Sequence, residues 1–331
     1  MRGVPEVLGI DIQIVEDDGL SFGTDILVLK HAQALYGLDA QVVERLGFDH
    51  DLLPPPGGYR VVRKPTGIGA KAVLFVGVRP IREFSYSDVR AFGHKALSSV
   101  ASGFPNAVHI ALTLHGVGYG LDEVECFDAE IAGIVDALEA HDYPRSLRTI
   151  SVLEINPGRA SRMITQLRSL LETGPGVIRD RPGSINEALG GERLRSAGAD
   201  LGARAYAFVA MPFDPTFSDI FHYGISPAVH VSGLLCERID RQAFVGDILQ
   251  RLKDQIEGAK LVVADLTGAN PNVFLEIGFA WGNGVPTVLL AREGETLKFD
   301  VQSQRCLFYG SIRELEEKLS AEVRELLVTL S

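Results

Sequence analysis

A chain of 331 residues is long enough for two domains, each with a core of its own. Apolar residues make up 46% and charged residues 23%, a globular balance that excludes a disordered or fibrous chain. Forty-three acidic against 32 basic residues leave a net charge of -11, which argues against non-specific binding to nucleic acid or an anionic membrane while allowing a local basic pocket.

In chain order, the N-terminal stretch "MRGVPEVLGIDIQIVEDDG" meets acidic residues before any signal-peptide core forms, and no run of about 18 apolar residues occurs. A cytoplasmic protein is expected. Strand-like segments follow at 24–31, 59–65, 71–78, 107–114 and 149–156, rich in Val, Ile and Leu and bounded by Gly, Pro or Asp. Amphipathic helices are expected between them, at 32–47, 86–102 and 126–141. In the last of these Phe127, Ile131, Ile134 and Leu138 fall on one face. A further helix at 159–172 closes an α/β domain spanning 1–172.

Residues 173–202 hold seven glycines and two prolines with little periodicity, and read as a linker. Within it "SINEALGGERL" either forms a short helix against one domain or remains part of the connection. A second α/β unit is expected over 203–331. Its five strands lie at 205–213, 234–239, 259–265, 286–291 and 305–310, with helices at 244–258 and 311–327. Alternation of strand and helix in short units predicts a five-stranded parallel sheet covered on both faces. In such sheets ligands bind beyond the carboxyl ends of the strands, where the strand order reverses.

The chemistry concentrates at those ends. Asp265 closes an apolar strand, "LTGA" turns the chain, Asn270 stands at an N-cap position and Pro271 at the first helical position. Glu276 shares a face of the helix with Asn272, Val273 and Ala280. Such a carboxylate either ties down a loop through backbone N–H groups or performs chemistry. "FVAMPF" ends the first strand of the unit with Met211, Pro212 and Phe213, either a plain strand end or a platform for a planar ligand. His222, Tyr223 and Arg241 are further candidates to reach a phosphate or base, each also readable as a surface or packing residue. In the first half, Gly116, Gly118 and Gly120 stand between a strand and a helix, where they serve either as a tight turn or as a nucleotide loop at a helix N-terminus. Cys126, Cys236 and Cys306 are odd in number and lack metal-ligand spacing, and the eight histidines show none either, so no metal site is expected.

From "FVAMPF" through "VVADLTGANPNVFLEIGFAWGNGVPTVLL", about residues 204–310, the sequence resembles the nucleoside 2-deoxyribosyltransferase-like branch of proteins related to TIR domains. The pattern D-L-T-x-x-N-P-N-V-x-x-E-I-G-x-A carries the resemblance. It implies that Glu276 attacks or stabilises the anomeric carbon of a ribosyl group and that Asp265 contacts sugar or base. Met211 to Phe213, Asn270 and Asn272 would shape the pocket, and Asp265 or Asp247 would supply a proton where the leaving base needs one. "NPNVF" stands where the transferases often carry D-x-G-T, a departure pointing to nucleotide-directed, defence-associated members. More faintly, residues 8–172 are similar to macro domains and to the macro-like N-terminal domain of leucine aminopeptidases. The Asn-rich first loop of ADP-ribose-hydrolysing macro domains is missing at "LKHAQALYG".

Together these features predict a mixed-sheet macro-like regulatory or nucleotide-sensing domain joined to a TIR-like or deoxyribosyltransferase-like domain. The expected activity is N-glycoside cleavage, with NAD as substrate rather than cofactor, in a stress or antiphage effector. A non-catalytic nucleotide sensor that signals by assembly and a salvage deoxyribosyltransferase are the alternatives. The expected partner is a small nucleotide or nucleoside, and homo-oligomers are implied by the resemblance.

Overall fold

A computed structural model describes residues 6–35, 37–80, 83–172, 191–199, 204–239 and 247–330. It divides into two compact units, one formed by residues 1–117 and 123–201, the other by 118–122 and 202–331.

The first unit is built on a seven-stranded sheet. Its strands are β1 (Glu6–Val7), β2 (Ile10–Glu16), β3 (Ile26–His31), β4 (Tyr59–Arg63), β5 (Ala72–Gly77), β6 (His109–Thr113) and β7 (Thr149–Glu154), in the order β1-β2-β7-β6-β3-β5-β4. The five inner strands are parallel, and β1 and β4 are antiparallel edges. β3 and β5 are buried along their whole length, as strands covered on both faces must be. The apolar runs predicted all five strands from β3 onward. β2 was not anticipated, because "IDIQIVE" alternates apolar with polar residues and lacks a continuous apolar run.

Helices α1 (Leu38–Leu46), α2 (Tyr86–Gly103), α3 (Glu123–Glu139) and α4 (Pro157–Glu172) cover this sheet. α2 and α3 touch backbone to backbone. A Cβ on Gly93 would run into the Glu130 carbonyl, and one on Gly133 into the Arg90 carbonyl. Within the expected linker, residues 191–196 form a short helix, α5 (Gly191–Ser196). It lies against the first unit: the Arg90 guanidinium donates to the carbonyls of Leu194, Arg195 and Ala197 while pairing with Asp136 at 2.7 Å. Arg193 pairs with Asp128. Residues 173–190 and 200–202 of the expected linker lie outside the described residues.

The second unit carries the five parallel strands β8 (Tyr206–Ala210), β9 (Leu235–Glu237), β10 (Leu261–Asp265), β11 (Thr287–Arg292) and β12 (Cys306–Tyr309), in the order β12-β11-β10-β8-β9. All five coincide with predicted segments. From β8 the chain moves to β9 on one side and then crosses to β10 on the other, so the strand order reverses between β8 and β10. On one face pack α7 (Asp247–Gly258) and α8 (Pro271–Gly282), with Leu252, Ile256, Val273 and Ile277 against Phe208, Val262 and Ala264. On the other, Ile220, Ile225, Leu315 and Leu319 pack against Val209, Val263 and Leu290. That layer combines α9 (Ile312–Thr329) with a helical stretch that the sequence patterns did not reveal. It begins at Pro215–Phe217 as a 3₁₀ turn, continues as a π-helix over Ile220–Ile225 and ends as α6 (Ser226–His230).

Residues 118–122 belong to the second unit. Tyr119 forms an antiparallel bridge with Ile239, Arg251 donates to the Tyr119 carbonyl at 2.7 Å and Gln255 to the Gly120 carbonyl at 2.7 Å. Asp122 accepts from the Cys236 amide at 2.9 Å and pairs with His230 at 2.6 Å.

Two glycine substitutions test this packing in opposite directions. Gly120 has φ +99, and a Cβ there would strike the Gln255 side chain. Gly120→Ala should destabilise the chain by about 1–3 kcal/mol in denaturant unfolding. Gly278, inside α8 with nothing within 4 Å of its Cβ position, should as Ala stabilise it by up to about 1 kcal/mol.

Candidate functional site

Asp265, the last residue of β10, is fully buried at the carboxyl edge of the second sheet, with 0% exposure. A carboxylate so placed needs partners. Oδ1 accepts from the Thr267 amide at 2.9 Å, and Oδ2 accepts from the Tyr309 hydroxyl at 2.7 Å, which reaches over from the end of β12. The Thr267 hydroxyl in turn accepts from the Arg292 amide at the end of β11, at 3.0 Å. One carboxylate thereby ties together the ends of three strands. Burial raises the pKa of Asp265, opposed by the bonds from Thr267 and Tyr309 and by the charge of Arg292. Burial and the neighbouring carboxylate push the Tyr309 phenol up as well.

The turn that follows sets the start of α8. Gly268 and Ala269 both take left-handed backbone angles, φ +74 and +50, and the second is costly for a residue with a Cβ. The Asn270 side chain caps the helix by accepting from the Asn272 amide at 2.9 Å, with Pro271 at the first helical position. Glu276 then lies on the inner face, 3% exposed, between the buried Val273, Ile277 and Ala280, while Leu275 on the outer face is 61% exposed. The helix geometry expected from the sequence is present, and it turns Glu276 inward.

The other wall of the edge follows β8. Met211 and Pro212 are buried, and Phe213 is half-buried. Arg238, just beyond β9, lies over the Phe221 ring with its guanidinium carbon 4.1 Å from the centroid, 5.8 Å from that of Phe213, and donates to the Met211 sulfur at 3.5 Å. Arg292, exposed at the end of β11, lies over Phe217 at 5.9 Å. Arg238, Arg292, Phe217, Phe221 and Tyr309 carry no motif of their own, and Thr267 appears only as a letter of the pattern that begins at Asp265. The one signal that marks two of these positions is the four-residue spacing of Phe217 and Phe221 from each other and from Phe213.

The remaining candidates divide. Asn270 and Asn272 stand at the mouth of α8, the first engaged as a cap and the second exposed. Asp247 opens α7, with its side chain outside the described residues, as is Arg241. Tyr223 is 52% exposed, and His222 contacts Phe221 edge-on at 4.9 Å. Gly116, Gly118 and Gly120 all have φ between +83 and +99, as a tight turn demands, and the Tyr119 and Gly120 carbonyls are taken up by Arg251 and Gln255 of the second unit. The three cysteines are thiols outside any disulfide, Cys126 and Cys236 buried, and burial raises the pKa of the Cys236 thiol. Among the described residues there is no group of three or more His, Cys, Asp or Glu that could hold a metal ion, and no helix long and apolar enough to cross a membrane.

The second unit is thus a doubly wound parallel α/β fold with carboxylates, guanidiniums and aromatic rings gathered where its strand order reverses. No family model and no curated protein matches the chain. Among solved structures, macrodomains match its N-terminal half. One, from Oceanobacillus iheyensis with ADP, is 18% identical, with 50% of this chain and 95% of that one covered and a TM-score of 0.40. Another, from Trypanosoma brucei in complex with ADP, is 14% identical over 47% of this chain and 68% of that one, with a TM-score of 0.38. A CMP N-glycosidase from Clostridium botulinum is 20% identical over 35% of this chain and 98% of that one, with a TM-score of 0.30.

Because the folded chain raises the pKa of Asp265, it holds this proton at pH values where the unfolded chain has released it. The stabilising contribution of Asp265 is therefore complete below the ordinary value of 3.8 and declines as pH rises through the raised folded value. The stability of Asp265→Asn relative to the parent should accordingly improve from pH 3.8 towards neutrality, as measured by urea unfolding at a series of pH values.

Proposed function

We propose that the second unit is a nucleotide N-glycosidase, with NAD as its leading substrate and Glu276 as its catalytic carboxylate. The observation that carries this reading is the inward placement of Glu276, 3% exposed, on the helix that starts from the carboxyl edge of the sheet. Cleaving an N-glycosidic bond develops positive charge on the anomeric carbon and ring oxygen, and a carboxylate held in a water-poor site lowers that barrier. The C1′–N bond breaks with its electron pair moving to the pyridinium nitrogen, so nicotinamide departs neutral without a proton. Water then adds to C1′ and releases one proton, leaving ADP-ribose.

The state of Asp265 favours a leaving group of this kind. Both its oxygens act as acceptors, from Thr267 and Tyr309, and the group has 0% exposure. With no exposure and both oxygens engaged, it is out of reach of a departing purine or pyrimidine. We assign it a positioning role, holding the turn that aims α8. Tyr309 and the backbone amide of Arg292 belong to the same support. Rapid loss of NAD would suit a growth-arresting stress or antiphage effector, with assembly of several copies as its means of control.

The test is incubation of the purified chain and of Glu276→Gln with NAD, CMP and deoxynucleosides, followed by chromatography of the released base. Nicotinamide release that falls by about 10²–10³ in the variant is the expected result. Base exchange between deoxynucleosides would replace this reading with a salvage transferase. Failure of every substrate to react would remove the glycosidase and favour a sensor that binds without turnover.

A further inference from the structure

The helical stretch after β8 presents an aromatic row to the carboxyl edge of the sheet. Phe217 and Phe221 stand four residues apart in one continuous helical run that passes from 3₁₀ to π geometry. Phe213 precedes them by a further four. Arg292 rides on Phe217, and Arg238 on Phe221 with Phe213 beside it. The two arginines come from the ends of different strands, β11 and β9, so the row gathers them from across the sheet. A guanidinium stacked on a ring uses its face for the ring and keeps its N–H donors in its own plane. Stacking also holds the fork in place, so less freedom is lost when an anion binds. In a chain of net charge -11, two guanidiniums are brought to one edge of the sheet.

We infer that Arg238 and Arg292 form a clamp for the 5′-phosphate or diphosphate of the substrate, making the second unit selective for nucleotides over free nucleosides. The inference rests on the proposed reading of this edge as the substrate site. A ligand laid across the edge would place its phosphate over the aromatic row and its glycosidic carbon towards the face of the sheet that α8 covers. The backbone amide of Arg292 donates to the Thr267 hydroxyl at 3.0 Å, in the turn whose amide donates to Asp265. The clamp and the turn before α8 therefore share one hydrogen-bonded support.

The test is calorimetric titration of the full chain carrying Glu276→Gln with nicotinamide mononucleotide and with nicotinamide riboside, which differ by one phosphate. The mononucleotide should bind at least tenfold more tightly. Adding Arg292→Gln should shrink that preference by about tenfold to a hundredfold and leave riboside binding unchanged, whereas Arg292→Lys should retain part of it. Arg292 is exposed, so a thermal midpoint within a degree of the parent verifies that its variants remain folded. Arg238→Gln should act in the same direction. Equal binding of the two ligands, no detectable binding of either, or a preference that survives both arginine variants overturns the clamp. Phosphate preference that depends on Arg292, in a chain that releases no base from NAD or CMP, leaves the clamp standing and removes only the glycosidase.

Discussion

The second unit depends on the burial of one carboxylate. Asp265 has no exposure, and an ion in that position persists only with hydrogen bonds on both oxygens. It obtains them from the Thr267 amide and the Tyr309 hydroxyl, and with them comes a geometry. The Thr267 bond closes the turn after β10, the Tyr309 bond draws in the end of β12, and Thr267 also accepts from the Arg292 amide at the end of β11. The direction in which α8 leaves the sheet follows from that turn. The inward placement of Glu276, five residues into the helix from its Pro271 start, follows from α8. The backbone strain at Ala269 lies inside the same turn, where the surrounding bonds can sustain it.

Charges of both signs meet at this edge, separated by the sheet. Asp265 closes β10 at the centre, Glu276 lies on the face covered by α7 and α8, and Arg238 and Arg292 lie over rings of the opposite layer. Guanidiniums tolerate this setting because they are weakly hydrated and stack on aromatic faces. In the proposed reading the division has a chemical purpose, since cleavage requires negative charge beside the anomeric carbon and binding requires positive charge beside the phosphate. The π-helical stretch at Ile220–Ile225 includes Phe221, so an irregular helix supplies one member of the aromatic row.

Glycine has a different task in each unit. In the first, Gly93 and Gly133 let α2 and α3 approach until backbone meets backbone, and Arg90, near that crossing, holds α5 through three carbonyls. In the second, Gly120 provides a left-handed angle that brings its own carbonyl to Gln255. A glycine-rich turn between strand and helix is compatible with a phosphate cradle. Here the Tyr119 and Gly120 carbonyls serve as acceptors for Arg251 and Gln255, so that part of the turn is engaged by α7.

The sequence alone determined the elements and the local chemistry. Apolar runs bounded by turn residues marked the strands from β3 through β12, and Asn270 with Pro271 marked the start of α8 to the residue. Glu276 was legible because helical periodicity is local: four residues separate it from Asn272 and from Ala280 wherever the helix lies. β2 was missed because its apolar residues alternate with polar ones, and the helical stretch over 215–230 because its 3₁₀ and π turns break the 3.6-residue period. The partners of Asp265, the rings beneath Arg238 and Arg292, and the membership of residues 118–122 in the second unit were decided only by tertiary structure. Those contacts join positions up to 135 residues apart, as between Gly120 and Gln255. They depend on which strands become neighbours and how their ends align, which hydrophobic periodicity, a record of each segment's own buried face, does not contain.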